Sequence, residues 1–140
     1  MRMLARPLLL LFPLLGCVPA EPTVHAAWVR AAPDGSALRV AYLDITNPGP
    51  ADWIVSVSSD AHETASLHES LLDDGVARMR PRKRVELPPG TTVNFGPGGL
   101  HVMLGAPRRP LSVGDTLTLT VSLASGKVIP ASALVSRQQP

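Results

Sequence analysis

The sequence predicts a single all-β domain, either a sandwich or a small barrel. After residue 20 no window keeps a helical period, whereas several keep the two-residue period of a strand with one buried face. Turn residues separate these windows at intervals of roughly 8–12 residues, as in sandwiches and small barrels. The chain has 140 residues with 15 prolines and 11 glycines, which disfavours a long helical bundle and leaves room for one domain, not two.

The strands follow from alternation and from apolar runs. The clearest is residues 116–123, where Leu and Val alternate with Thr and Ser, so that one face is apolar. Residues 38–45 form a mostly apolar run, which is typical of a more deeply buried strand, and Asn-Pro-Gly-Pro at residues 47–50 ends it as a turn. Further strands are predicted at residues 53–57, 65–70, 76–80, 91–95, 100–104 and 127–135.

An export signal occupies residues 1–20. Two arginines precede an apolar run at residues 8–15, which is too short to span a bilayer as a mature helix. Without this segment the chain has eleven basic and eleven acidic residues, so the basic balance of the full sequence does not indicate a nucleic-acid partner. We therefore expect a mature domain at residues 21–136 and a frayed tail at residues 137–140.

The end of the export signal allows two readings. Leu-Leu-Gly-Cys at residues 14–17 resembles the bacterial lipobox, in which the cysteine, here Cys17, is lipidated. Val-Pro-Ala at residues 18–20 fits ordinary signal-peptide cleavage instead. Either reading places the mature domain in the periplasm or on the extracytoplasmic face of the cell membrane. Cys17 is the one cysteine of the chain, which excludes an internal disulfide framework and a Cys-rich zinc site.

The candidate metal-binding side chains of the mature chain are histidines and methionines. After residue 20 two methionines remain, and both fall into the pattern His68, Met79, His101 and Met103. Because His101 and Met103 are two residues apart, they share one face of a strand.

A hairpin is expected to bring the first two of these residues together. With residues 72–75 as a four-residue loop, whose glycine supplies a positive φ, His68 lies directly opposite Met79, about 4.5–5.5 Å away at Cβ. Glu69 then faces Arg78 on the other side of the hairpin. His68 with Met79 and His101 with Met103 form two pairs, each with one imidazole and one thioether on one face. Together the two pairs can supply the four ligands of one metal site.

This ligand set selects the metal. Thioether sulfur is soft and imidazole is borderline, and together, without thiolate or carboxylate, they suit Cu(I). Zinc sites are usually built from Cys, His and carboxylates, and calcium and magnesium need oxygen. Outside the cell a thioether has the further advantage that it forms no disulfide. The sequence therefore predicts that the four-residue set binds Cu(I).

The spacing of these ligands resembles that of the periplasmic copper chaperones called PCuAC. The shared features span about residues 24–124 and are the spacing H-x10-M-x21-H-x-M together with Asp-Gly-Val at 74–76, Arg-Met-Arg-Pro at 78–81, Leu-Pro at 87–88, Pro-Gly-Gly at 97–99 and Pro-Leu-x-x-Gly-Asp at 110–115. The resemblance implies a cupredoxin-like Greek-key β-sandwich that binds one Cu(I) at a solvent-accessible site. It also implies delivery to the copper A centre of cytochrome c oxidase, sometimes alongside a Sco-type protein.

Residue by residue, His68, Met79, His101 and Met103 each match a ligand position of that family. Many members carry a further methionine shortly after the first histidine, where this chain has Ser70 and Leu71, so an auxiliary ligand is missing there. The C-terminal tail contains no methionine or histidine, which predicts a single site.

Several features keep alternative readings. His25 and His62 match no motif position and are expected to be solvated or locally bonded, although either could bind Cu(II) weakly. A basic run is either a solvated edge that blocks aggregation or a docking patch for an acidic partner: Arg78, Arg80, Arg82, Lys83 and Arg84.

Two other classes of function stay open beside copper delivery. One is a copper-storage or resistance protein without a specific recipient, and the other is an Ig-like interaction module whose Met and His pairs are accidental. We expect a monomer and no enzyme, because four protein ligands leave Cu(I) no open position for a substrate and no catalytic triad or carboxylate pair is readable.

Overall fold

The computed structural model describes residues 20–33 and 35–140, so that almost the whole export signal, including Cys17, lies outside the described residues. The described chain consists of ten strands joined by turns and loops. Among these residues there is no helix long and apolar enough to cross a membrane. The strands are β1 (Thr23–Arg30), β2 (Leu38–Asn47), β3 (Asp52–Ser59), β4 (His62–Asp73), β5 (Val76–Pro81), β6 (Val85–Leu87), β7 (Thr91–Phe95), β8 (Leu100–Pro107), β9 (Thr116–Leu123) and β10 (Val128–Ser136).

All eight strands predicted from the sequence are confirmed, and β7 and β9 have the predicted bounds. Two strands, β1 and β6, were not predicted. In β1 the pairing register shifts between His25 and Trp28, and Ala26 has a φ of 51°, which is a bulge that interrupts the alternation of faces. β6 has three residues, too few to show a period.

Hydrogen bonds link the strands into one continuous sheet that folds over into a sandwich. The order is β5-β4-β8-β7-β2-β1-β10-β9-β3-β6, with β8 also paired to β2. β1 pairs antiparallel with β2 and parallel with β10, so it connects the two layers. The metal candidates lie on β4, β5 and β8, which are neighbours at one end of this order.

The core forms where the apolar faces of the two layers meet. The predicted apolar face of β9 is buried throughout, and it packs in one cluster with apolar residues of β2, including Leu43 and Ile45, and with Phe95 of β7. Full burial of each such side chain contributes roughly 1.5–3 kcal/mol. This cluster holds the sheet that carries the candidate site.

Asn47 ends β2 and anchors the turn predicted at residues 47–50. Its buried amide group donates to the carbonyl oxygens of Pro50 at 2.7 Å and Leu87 at 3.1 Å, and its side-chain oxygen accepts the Gly49 N–H at 3.0 Å. One side chain therefore satisfies the backbone of the turn and ties β6 to the end of β2.

Candidate metal centre

The β4–β5 hairpin closes with a shorter turn than the sequence predicts. Asp73 pairs with Val76, so the loop contains only Asp74 and Gly75, and the predicted four-residue loop is wrong. Asp74 and Gly75 have φ values of 50° and 77°, which is the two-residue hairpin geometry that matches the twist of the strands. Asp tolerates positive φ better than most residues, so the strand ladder extends two residue pairs further than expected.

The shorter turn changes the partners of the first two candidate ligands. His68 lies opposite Pro81, and Met79 lies opposite Ser70, so the predicted direct pairing of His68 with Met79 is wrong. Because the register differs by two residues, each side chain keeps its face of the sheet. Met79 is therefore a diagonal neighbour of His68, at the distance of roughly 7–8 Å that long side chains still bridge.

The two histidines are direct neighbours across β4 and β8. His68 pairs with His101, and their rings lie 5.8 Å apart at the centroids with an interplanar angle of 25°. Met103, two residues beyond His101, pairs with Ser66. All four candidate ligands therefore share one face of three adjacent strands, with the histidine pair in the middle.

Each histidine has one nitrogen held by the protein and one without a partner. Nδ1 of His101 lies 2.9 Å from the carbonyl oxygen of Gly99, to which it donates, and Nε2 of His68 lies 2.9 Å from Oγ of Ser66. Nε2 of His101 and Nδ1 of His68 are buried and have no hydrogen-bond partner among the described residues. Metal-binding histidines typically show this division, because the bonded nitrogen fixes the tautomer that leaves the other free to bind.

The environment of the pair favours the neutral form of His68. Burial lowers the pKa of His68 from its ordinary value of 6.5, and the neighbouring His101 lowers it further. A neutral imidazole is the form that binds a metal. Accessibility increases across the site, since His101 is 3% exposed and Met79 is 52% exposed. A metal bound here would be reached from the Met79 side.

The rim of the site is apolar. On the same face as the candidate ligands, β4 ends with Leu72, which is 81% exposed, opposite Ala77 of β5, and Pro81 lies opposite His68. Leu72 is the most exposed large apolar side chain among the described residues, so it is available for contact with a partner at this rim.

Three arginines of the basic run, Arg78, Arg80 and Arg82, lie on the opposite face of the hairpin. Arg78 and Arg80 approach Asp73 at 3.3 and 4.0 Å, and Arg82 approaches Glu69 at 3.3 Å. Glu69 pairs across the strands with Arg80 instead of Arg78, so the expected Glu69–Arg78 pairing is wrong for the same reason as the loop. These ion pairs are exposed and stabilise the hairpin little.

The remaining histidines do not join the site. His62 is 2% exposed, and its Nδ1 lies 3.2 Å from Oγ of Ser59, which confirms local bonding over solvation for this residue. His25 is exposed on β1 and pairs across the strands with Asp44. Within residues 20–33 and 35–140, no three His, Cys, Asp or Glu side chains cluster in a metal-binding arrangement.

Two supporting residues were missed by sequence reasoning. Ser66 and Gly99 hold the two imidazole rings, and each lies two residues before its histidine. For Ser66 a signal was available, since alternation puts a residue two positions before His68 on the same face of the strand. The Gly99 carbonyl carries no side-chain signal.

Solved structures of similar fold include copper proteins. The copper-bound PCuAC domain from PmoF2 superposes with a TM-score of 0.70 at 20% identity, over 86% of this chain and 97% of that domain. The Cu(I) form of DR1885 from Deinococcus radiodurans gives a TM-score of 0.59 at 24% identity, over 89% of this chain and 83% of that one. At these identities the likeness shows the fold, and it confirms the predicted cupredoxin-like β-sandwich.

Sequence relatives show the family. A protein of Leifsonia xyli subsp. xyli named "Putative lipoprotein Lxx21020" is 33% identical over 114 residues, which is 80% of this chain and 68% of the relative. Residues 22–135 match the family described as "Putative lipoprotein LpqE-like". The match covers β1 to β9, all of β10 except Ser136, and all four candidate ligands. This chain belongs to the LpqE-like family.

Proposed function

We propose that this protein is an extracytoplasmic copper chaperone of the PCuAC type. It binds one Cu(I) ion through His68, Met79, His101 and Met103 and passes the ion to a protein acceptor. The observation that carries the proposal is the histidine pair, whose unpartnered buried nitrogens, Nδ1 of His68 and Nε2 of His101, lie on one face of adjacent strands. Burying such atoms without a partner costs free energy, which a bound metal ion would offset.

The donor chemistry supports Cu(I) over other ions. Two neutral imidazoles and two thioethers on one face suit a soft monovalent ion. Support also comes from the fold, which is shared with a copper-bound PCuAC domain and with a Cu(I)-bound protein. None of the four ligands has to lose a proton from its neutral form, so binding depends less on pH than binding by thiolates.

A carrier must also release its ion, and the exposure of the ligands supports release. Met79 is half-exposed on the edge strand β5, whereas His101 is buried. An acceptor thiolate can therefore displace Met79 first, and the remaining ligands exchange in turn. An order of this kind passes the ion between proteins without releasing it into solution.

The recipient we propose is the copper A centre of cytochrome c oxidase, either directly or with a Sco-type protein. The setting we propose is the periplasm or the extracytoplasmic face of the membrane. Lipid attachment at Cys17 is supported by the lipobox-like residues 14–17 and by the lipoprotein names of the family and the Leifsonia relative.

Transfer between purified proteins tests this function. The copper-loaded protein is mixed with a reduced, copper-free copper A domain, and the copper A absorbance is followed beside a small copper complex of matched affinity. We expect transfer from the protein to be faster than from the small complex. Retention of copper by the protein, while the small complex gives it up, would instead indicate storage.

A further inference from the structure

A cavity that is open to solvent lies at the other end of the sandwich from the candidate copper site. Its volume is about 480 Å³, and three arginines line it: Arg39, Arg108 and Arg109. On β8 it adjoins Pro107, six residues after His101. At about 3.3 Å per residue this places the cavity about 20 Å from the histidine pair. None of its lining residues takes part in the proposed copper chemistry.

Backbone carbonyls hold the three guanidinium groups in place. Nη2 of Arg39 donates to the oxygen of Leu111 at 3.0 Å. Nε of Arg108 donates to the oxygen of His62 at 3.3 Å, and Nη2 of Arg109 donates to the oxygen of Thr116 at 3.2 Å. Carbonyl bonds orient these groups without cancelling their charge.

The charge of this arginine cluster is uncompensated within the described part of the chain. None of the three makes an ion pair there, and Nε of Arg39 is buried without a partner among the same residues.

Two of the acidic residues at this end, Asp60 and Asp115, accept hydrogen bonds from the backbone. A carboxylate oxygen of Asp60 accepts the backbone N–H of Thr118, and one of Asp115 accepts that of Ser112. Burial lowers the pKa of His62 most, and the charges of Arg39 and Arg109 lower it further, against an opposing effect of Asp60.

We propose that the arginine cluster binds a small oxyanion with two or more negative charges, such as a phosphate group or a di- or tricarboxylate. Guanidinium groups form paired, charge-assisted hydrogen bonds with such oxyanions, and three of them on one cavity match a multiply charged ligand better than a halide. The site is separate from the proposed copper site and does not depend on it.

The position of the cavity favours a soluble anion over a membrane headgroup. β1 runs from Thr23 to Arg30, and Arg30 pairs with Val40 of β2, close to the Arg39 end. The first strand residue, Thr23, pairs with Thr46 and is about 20 Å away along the strand. The cavity therefore lies at the end of the domain away from the start of its first strand. That strand follows Cys17, the proposed site of lipid attachment, so the cavity faces away from the end at which a membrane anchor would join the domain.

Calorimetric titration of the copper-free protein tests the site, with phosphate and citrate as probes and chloride at matched ionic strength as reference. We expect saturable 1:1 binding of one or both oxyanions and none of chloride. Arg108→Gln and Arg109→Gln should each weaken binding about tenfold, as expected for loss of a charge-assisted contact. Arg78→Gln, an exposed arginine at the other end of the sandwich, is the matched control and should change it less than twofold.

Four further results decide the proposal. Absence of saturable binding at tens of millimolar anion would overturn it, as would full-strength binding by a folded Arg108→Gln/Arg109→Gln protein. Asp34 adjoins the cavity-lining Gly35 and lies outside the described residues, so Asp34→Asn is included. Binding that appears only in that variant would assign the cavity to a carboxylate of the chain itself. Vesicles of anionic phospholipid that bind more tightly than phosphate would overturn the preference for a soluble anion.

Discussion

His68 on β4 and His101 on β8 are direct cross-strand neighbours, with ring centroids 5.8 Å apart and ring planes 25° from parallel. Each ring is held through one nitrogen, by Ser66 or by the Gly99 carbonyl. The other two nitrogens are buried without partners among the described residues. The histidine pair is thus preorganised, and Met79 and Met103 lie beside it on the same face of the neighbouring strands.

Replacing His101 with Phe should lower Cu(I) affinity by roughly 100-fold or more, because even residues that only support a metal ligand are worth about 10–100-fold. Phe fills the buried volume, so the variant should fold. Competition with a Cu(I) chelator measures the affinity, and His25→Phe is the matched control on an exposed strand position. An unchanged affinity in His101→Phe would place the copper site elsewhere.

Replacing Met79 and Met103 together with Leu should remove the sulfur scatterers from the X-ray absorption spectrum of the Cu(I) protein. The free energy of unfolding should fall by less than about 1.5 kcal/mol, since Leu and Met are close in volume. Met79→Leu alone should lower the free energy of unfolding less than the double replacement does, because Met79 is half-exposed. Sulfur scattering that persists in the folded double variant would contradict the ligand assignment.

The two-residue turn should be sensitive at Gly75. Gly75 has a φ of 77°, and no atom lies within contact distance of the position that an added methyl group would take. Gly75→Ala therefore introduces backbone strain without a steric clash, and this strain should destabilise the fold by about 1 kcal/mol. Urea unfolding should show this loss, and Asp74→Asn should be neutral because Asn-Gly suits the same turn. Equal stability of Gly75→Ala and the unaltered protein would argue against the positive φ.

The stability of the copper-free protein should fall at acidic pH, in part through His62. Burial lowers the pKa of His62 below its ordinary value of 6.5. Between 6.5 and that lower pKa the unfolded chain binds a proton that the folded protein does not. Stability is therefore retained above pH 7 and lost as the pH falls through this window, with a slope of at most about 1.4 kcal/mol per pH unit for one proton.

His62→Gln isolates this contribution, because Gln keeps a polar group near Ser59 but does not titrate. Urea unfolding at several pH values should show parallel curves for the two proteins above pH 7 and a shallower acid loss in the variant. Identical slopes below pH 6 would show that His62 does not contribute.

The apolar rim and the basic run should affect copper transfer differently. Leu72→Ser removes an exposed apolar side chain on the face that carries the candidate ligands and should slow transfer at all salt concentrations. Charge reversal at Arg80 and Arg82, on the opposite face, acts through the long-range field and should slow transfer mainly at low salt. Stopped-flow transfer at two ionic strengths separates the effects, and copper affinity is the control in both. Salt-independent slowing by the arginine variants would indicate direct contact instead.

Much of the fold was readable from local patterns. The alternation in β9 predicted both its bounds and its buried face, because side chains on a strand alternate with period two whatever the strand pairs with. The spacing of His68, Met79, His101 and Met103 likewise predicted a shared face for His101 and Met103. The bulge in β1 and the brevity of β6 hid those two strands, since neither segment is long and regular enough to show a period.

The sequence by itself determined which residues could bind a metal, and tertiary structure decided how they meet. The direct neighbour of His68 is His101 on a strand distant in sequence, and not Met79 on its own hairpin. Pairing between distant strands is set by packing of the whole sandwich, which no local pattern encodes. The register of the β4–β5 hairpin depended on whether its loop has two residues or four, which the sequence did not decide. The arginine cluster brings Arg39 together with Arg108 and Arg109 only because the folded sheet places distant segments at one end of the sandwich.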